Sequence, residues 1–173
     1  MPMIKLRSGT AAFLKNGGDV LLLKRSQGKK IAPGMWSGVG GHMERHELDN
    51  PLATCYREVE EESGIVRDDI HGLALLYVIV RKVKDYEIRQ SYIYFGETTR
   101  RDVVQTDEGE LHWVPESELL NREYTQSFTA MLRHYSARDP QDTAVYVGVA
   151  GNDNGKLAMT WTRCEDFEQL PEK

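Results

Sequence analysis

Two cysteines in 173 residues, Cys55 and Cys164, are too few for a disulfide framework or a Cys-rich zinc site. Long hydrophobic runs are missing as well. The longest, residues 73–80, is eight residues against the roughly 20 that a bilayer span needs. The opening Met1-Pro2-Met3-Ile4-Lys5 lacks the charged, apolar and small-residue segments of a secretory signal, so the expected location is the cytoplasm, with no membrane partner. Positive charge is also short: 22 Lys and Arg stand against 27 Asp and Glu, a net charge of −5. That balance speaks against a large nucleic-acid partner. A small phosphate ligand remains compatible, because it needs only a few local cations or a metal. No repeat, low-complexity tract or linker divides the chain. With 40% hydrophobic and 28% charged residues it reads as one globular domain over 1–164, followed by an acidic tail over 165–173.

Residues 10–14 and 20–24 predict strands joined by Asn16-Gly17-Gly18-Asp19, a strong hairpin signal. Residues 26–41 read as a loop with five glycines, Pro33 and the bulky Trp36. A helix is expected over 51–63, with Asn50 as its cap, Pro51 in its first position and Gly64 just past its end. Residues 73–81 and 86–97 predict long strands and 111–114 a short one. Phe128, Met131, Leu132 and Tyr135 are spaced for a second helix over 127–136. Residues 143–149 and 157–163 form a last hairpin around Gly151-Asn152-Asp153-Asn154-Gly155. Strands and helices mix without regular alternation, which favours an α+β fold with a sheet between helices.

The first helix has two chemically distinct sides. At 100° per residue, Glu58, Glu61 and Glu62 share an arc of roughly 100°, with Arg57 at its edge. Leu52, Cys55, Tyr56 and Val59 form the core-facing stripe, and Glu60 turns away from the cluster. Acids in the last turn face the negative end of the helix dipole. Like charges three and four residues apart add a repulsion of about 0.2–0.5 kcal/mol per exposed pair. A divalent cation removes both penalties, and magnesium suits oxygen donors of this kind. On the helix alone, a solvated acidic face is an equal alternative.

The preceding loop changes that balance. Gly40-Gly41-His42-Met43-Glu44, then Glu47, then Arg57-Glu58-Val59-Glu60-Glu61-Glu62-Ser63-Gly64-Ile65 closely resembles the Nudix box: Gly, five residues, Glu, seven residues, then Arg-Glu-aliphatic-x-Glu-Glu-x-Gly-aliphatic. Two departures stand out. Nine residues, 48–56, separate Glu47 from Arg57 where the family has seven, and His46 stands where glycine is usual. The extra two fit most easily ahead of the Asn50 cap, leaving the helix register unchanged.

The resemblance implies a Nudix α/β/α sandwich with a mixed central sheet, hydrolysing a nucleoside diphosphate linked to another group. It makes Glu58, Glu61 and Glu62 metal ligands together with the Gly40 carbonyl, for magnesium or manganese in its stead. Glu61, Glu62 and Arg57 become catalytic residues, with Arg57 orienting Glu47 or one of the clustered acids. Glu108, ahead of Trp113, is the further acid by its likeness in spacing to a loop acid of the family. Lys24, Arg25, Lys29 and Lys30 flank the glycine-rich loop and either meet phosphate oxygens or are solvated loop charges. Trp36 offers a stacking surface and Ser37 a hydrogen-bonding group for a base, or else Trp36 plugs the loop against the core. His42 and His46 lack a third matched ligand for zinc.

Signatures of several substrate branches are missing. The nearest likeness is to the branch that acts on oxidised purine nucleotides such as 8-oxo-dGTP. Ser37 stands where that branch has a base-reading Asn, and Thr125 and Gln126 lie near the place of its paired aspartates. The expected reaction is magnesium-dependent conversion of a purine nucleoside triphosphate, oxidised or not, to monophosphate and pyrophosphate. The alternatives are another nucleotide conjugate as substrate, a regulatory domain that binds nucleotide without turnover, and an acidic interaction module with no metal.

Overall fold

Apolar residues alternate along the first hairpin so that both of its faces are filled. Phe13 and Leu22 join one buried cluster, and Leu14, Leu21 and Leu23 join another. The computed structural model describes residues 4–28, 32–84 and 86–166. The hairpin is β1 (Lys5–Asn16) and β2 (Asp19–Arg25), closed by Gly17 in the left-handed conformation at φ 61°. Two-residue β3 (Trp36–Ser37) follows, then α1 (Pro51–Ser63), β4 (Ile70–Val83), β5 (Glu87–Thr98), β6 (Gly109–Pro115), α2 (Gln126–Ala137), β7 (Tyr146–Asp153) and β8 (Lys156–Arg163).

The strands form one mixed sheet in the order β3-β2-β1-β5-β4-β7-β8, with β6 paired to β2. β1 with β5 and β4 with β7 are parallel; the other pairings are antiparallel. The helices cover opposite faces. Cys55 and Val59 of α1 pack with Leu14, Leu21, Leu23 and Val39, while Met131 and Leu132 of α2 pack with Phe13, Leu22, Tyr77 and Ile93. This is an α+β sandwich, a mixed sheet between two helices. No helix among the described residues is long and apolar enough to cross a membrane.

Some boundaries differ from the sequence expectation for identifiable reasons. β1 begins at Lys5 rather than at residue 10, because Lys5 to Ser8 pair in register with Glu87 to Gln90 of β5. Those first residues are largely exposed, so no apolar alternation marks them. The last turn is shorter than the five-residue loop expected. Strands β7 and β8 run to Asp153 and Lys156, leaving Asn154 (φ 51°) and Gly155 (φ 83°) as a two-residue turn. Residues 167–173 of the expected acidic tail lie outside the described residues.

Candidate active site

β1 and β2 hold each other only through Leu14 to Asn16 and Asp19 to Leu21, and then part. The glycine-rich loop fills the gap along β1. Val39 exchanges hydrogen bonds with Ala12 (2.7 and 3.0 Å), the Thr10 N–H donates to the Gly41 carbonyl at 2.8 Å, and the Met43 N–H donates to Ser8 at 3.0 Å. Approach this close leaves no space for side chains. A Cβ on Gly40 would lie 2.3 Å from the Thr10 carbonyl oxygen, and one on Gly41 2.3 Å from a Glu58 carboxylate oxygen. The parting strands open a cleft of about 740 Å³, reached by groups from both sides of the sheet.

α1 supplies the acidic wall. Asn50 caps it, accepting from the Ala53 N–H at 3.2 Å, and Gly64 ends it at φ 74° with its N–H on the Glu60 carbonyl. Arg57 organises the carboxylates around it. Its Nε and Nη2 donate to the two oxygens of Glu47, each at 2.8 Å, and its Nη1 donates to Glu58 at 2.9 Å and Glu61 at 3.1 Å. Glu47 is buried and also accepts from the Thr54 hydroxyl and the Glu44 N–H, both at 2.9 Å. The Arg57 guanidinium holds the Glu47 carboxyl down at about 2, well below its ordinary value. Arg57 thus holds three carboxylates, Glu47, Glu58 and Glu61, where the sequence left open Glu47 or one of the clustered acids.

Glu62 is the buried acid of the cluster. One of its oxygens accepts from the Gly40 N–H at 3.0 Å. Burial pushes its carboxyl up to about 7; the negative charges of Glu58 and Glu108 act in the same direction, against Gly40 and Arg25. Burial raises Glu58 too, despite Arg57. Gly40 thus meets the cluster through its N–H. Among the described residues no three His, Cys, Asp or Glu side chains converge on one point, because Glu58 and Glu61 face Arg57. The donor set itself suits a hard cation: carboxylate oxygens from Glu58, Glu61 and Glu62, with Glu108 on the same cleft and close enough to repel Glu62.

Of the residues singled out in the sequence, Arg57, Glu58, Glu61, Glu62, Gly40, Ser37 and Glu108 all line the cleft. Asp107 does as well, whereas Glu110 pairs with His112 at 3.3 Å. Lys24 and Trp36 do not line it. Successive strand residues point to opposite faces, so Arg25 reaches the cleft while the Lys24 ammonium lies 5.8 Å from the Trp36 ring centroid. Trp36 is wedged between Lys24, Arg122 and His112 and packs on the α2-side core. Beside it a recess of about 90 Å³ is lined by Ser37, Thr125, Ser127 and Phe128, and shares Ser37, Arg25, Arg81, Ser91 and Phe128 with the main cleft. Lys29 and Lys30 lie outside the described residues. Cys55 is fully buried, and burial pushes its thiol up to about 12, which removes it as a nucleophile. Among the described residues His46 meets only Glu44, at 3.5 Å and exposed.

Sequence reading missed three further cleft residues, Arg7, Arg81 and Arg89. They are 8 to 82 positions apart in the chain, and only strand pairing brings them together.

Comparison with known proteins agrees with this fold. The family model described as the NUDIX domain matches residues 5–135. A mutator MutT protein from Bacillus halodurans superposes with a TM-score of 0.71 at 19% identity, covering 90% of this chain and 97% of its own. A MutT protein from Methanosarcina mazei Go1 gives 0.63 at 22% identity, covering 78% and 98%, and a MutT NUDIX hydrolase from Burkholderia pseudomallei gives 0.60 at 24%, covering 75% and 97%. At these identities the superpositions speak for the fold.

Proposed function

We propose, for a chain that belongs to the NUDIX domain family, that the cleft hydrolyses a purine nucleoside triphosphate, oxidised or not, to the monophosphate and pyrophosphate with magnesium. The observation that carries this reading is the meeting of Glu58, Glu61, Glu62 and Glu108 with Arg7, Arg25, Arg81 and Arg89 in one cleft. Acids there suit a metal, Arg25 beside them suits the phosphate chain that the metal would share, and the other arginines suit further negative charge on the substrate. Glu58, Glu61 and Glu62 would hold magnesium, or manganese in its stead, with the Gly40 carbonyl beside them. A bound cation would neutralise the phosphates and lower the pKa of an attacking water.

The chain's own residues do the remainder. Arg57 keeps Glu58 and Glu61 oriented through direct hydrogen bonds, and is itself fixed by the buried Glu47. Glu108, across the cleft, accepts the proton of the attacking water. Arg25 binds a phosphate oxygen. Ser37, with Thr125 and Ser127 in the adjoining recess, offers hydroxyls to the edge of the base. The likeness to MutT proteins supports this branch; Ser37 in place of the branch's Asn means the base would be read through a shorter group. The enzyme would work in the cytoplasm on a free nucleotide.

The test is phosphate release, with added inorganic pyrophosphatase, over a panel of nucleotides with and without magnesium. Magnesium-dependent release from purine triphosphates, greatest for the oxidised bases, supports the reading. Absence of release from every nucleotide, with the protein folded, overturns it in favour of a domain that binds without turnover.

A further inference from the structure

Pairing across three adjacent strands sets three arginines abreast. Arg7 of β1 lies opposite Arg89 of β5, and Arg89 lies opposite Arg81 of β4. Paired residues share a face of the sheet, here the face of Phe13, Ile79 and Ile93, and neighbouring strands are about 4.8 Å apart. Like charges placed directly opposite one another destabilise a sheet. Among the described residues one carboxylate, Glu87, accompanies the row and is hydrogen-bonded to Arg89. Among the described residues no hydrogen bond or ion pair holds Arg81, although it is half-buried. All three line the cleft that holds the acids.

On β1 the row lies beyond the point where Gly41, the glycine against Glu58, is bonded. Thr10, which bonds the Gly41 carbonyl, is three residues along β1 from Arg7, or about 10 Å at strand rise. His42 occupies the space between: it forms a bridge with Gly9, its carbonyl accepts from Arg57 at 3.2 Å, and its ring feels the charges of Arg7, Arg25 and Arg89. The cleft is therefore polar at both ends and opposite in sign.

We infer that Arg7, Arg81 and Arg89 form an anion subsite, taking a phosphate or carboxylate of the substrate separate from the phosphates gathered at the acids. As to which molecule carries that anion, this rests on the nucleotide-hydrolase reading. It narrows the substrate to a nucleotide with negative charge beyond the two phosphates of the hydrolysed link, and disfavours a diphosphate ending in a neutral sugar. Three guanidiniums in a fixed row match oxyanion geometry with several charge-assisted hydrogen bonds. Bound anion also relieves the repulsion within the row.

Binding and turnover test it separately. In EDTA the acids repel anions, so sodium tripolyphosphate at constant ionic strength should bind only at the arginines. Its dissociation constant, from calorimetry, should rise about tenfold in Arg81→Gln, since a charge-assisted hydrogen bond is worth about that factor. Arg7→Gln, exposed and safe for folding, should weaken it in the same direction, while Glu62→Gln should bind as tightly as wild type or more tightly. In turnover, Arg7→Gln and Arg81→Gln should lose about tenfold in kcat/KM on a nucleoside triphosphate and less than about twofold on a nucleoside diphosphate hexose. Tripolyphosphate affinity unchanged in both arginine variants, or equal losses on the two substrates, overturns the subsite. If no nucleotide is hydrolysed but the arginine variants lose tripolyphosphate, the subsite stands and the hydrolase reading fails.

Discussion

Arg57 and Glu47 meet fork to fork, Nε on Oε1 and Nη2 on Oε2, each at 2.8 Å, with Thr54 and the Glu44 backbone completing the carboxylate's hydrogen bonds. The pair ties the loop ahead of α1 to the middle of the helix. Glu47→Gln should cost about 2 kcal/mol, because it removes the buried charge that takes two of the guanidinium's hydrogen bonds and turns an amide NH2 towards one of them, leaving Arg57 only Glu58 and Glu61 as charge partners. Urea unfolding measures the loss. Turnover should fall as well, since Arg57 then no longer holds Glu58 and Glu61 in place. A variant as stable as wild type would show that the pair contributes nothing to the fold.

The same pair sets an acid limit. The folded Glu47 carboxyl sits near 2, against an ordinary value of 4.5, with the Arg57 hydrogen bonds as the first cause. A depressed carboxyl contributes stability that is complete above its unfolded value and is lost as pH falls towards its folded one. Melting temperature should therefore drop between about pH 4.5 and 2. Part of that slope should vanish in Glu47→Gln, which has no carboxyl to protonate. Identical slopes in the two proteins would assign the acid sensitivity elsewhere.

Gly41 makes room for Glu58. In Gly41→Ala the new Cβ would come within 2.3 Å of a Glu58 carboxylate oxygen, and the side chain must swing away. The fold can absorb that movement more readily than the cluster can. Turnover should fall by about a hundredfold, as misplacement of about 1 Å at a reacting centre can do, with circular dichroism unchanged. Near wild-type turnover would place Glu58 outside the working site.

Metal dependence has a binding readout too. Magnesium or manganese should raise the melting temperature by mass action. Glu62→Gln should reduce that shift and lower turnover by several orders of magnitude. A Glu62→Gln enzyme with near wild-type turnover would remove α1 as the metal platform.

The two extra residues ahead of the helix make a cleaner deletion than their sequence suggests. Leu48 and Asp49 are exposed, but Asn50 caps α1 and bonds the Glu47 carbonyl at 2.8 Å. Removing Leu48 and Asp49 should keep magnesium dependence and change activity modestly; Asn50→Ala should cost about 1 kcal/mol. Abolition of turnover by the Leu48–Asp49 deletion in a folded protein would mean that this loop has a part in the site.

Local sequence determined α1 and its acids. Cap, first-turn proline, terminal glycine and a 3.6-residue period all act within a few residues, so they placed the helix over Pro51–Ser63 and set Glu58, Glu61 and Glu62 beside one another. The turn at Gly17 was legible for the same reason, since positive φ is a property of single residues, whereas the length of the last turn was not. Tertiary structure decided what lies across the cleft. Whether Lys24 or Arg25 faces the acids depends on a one-residue choice of strand face, and the sequence around them contains no alternation strong enough to make it. The row of Arg7, Arg89 and Arg81 exists only through the registers of β1 on β5 and β5 on β4, which join residues up to 82 positions apart. Register is fixed by the packing of whole strands, and no local spacing encodes it.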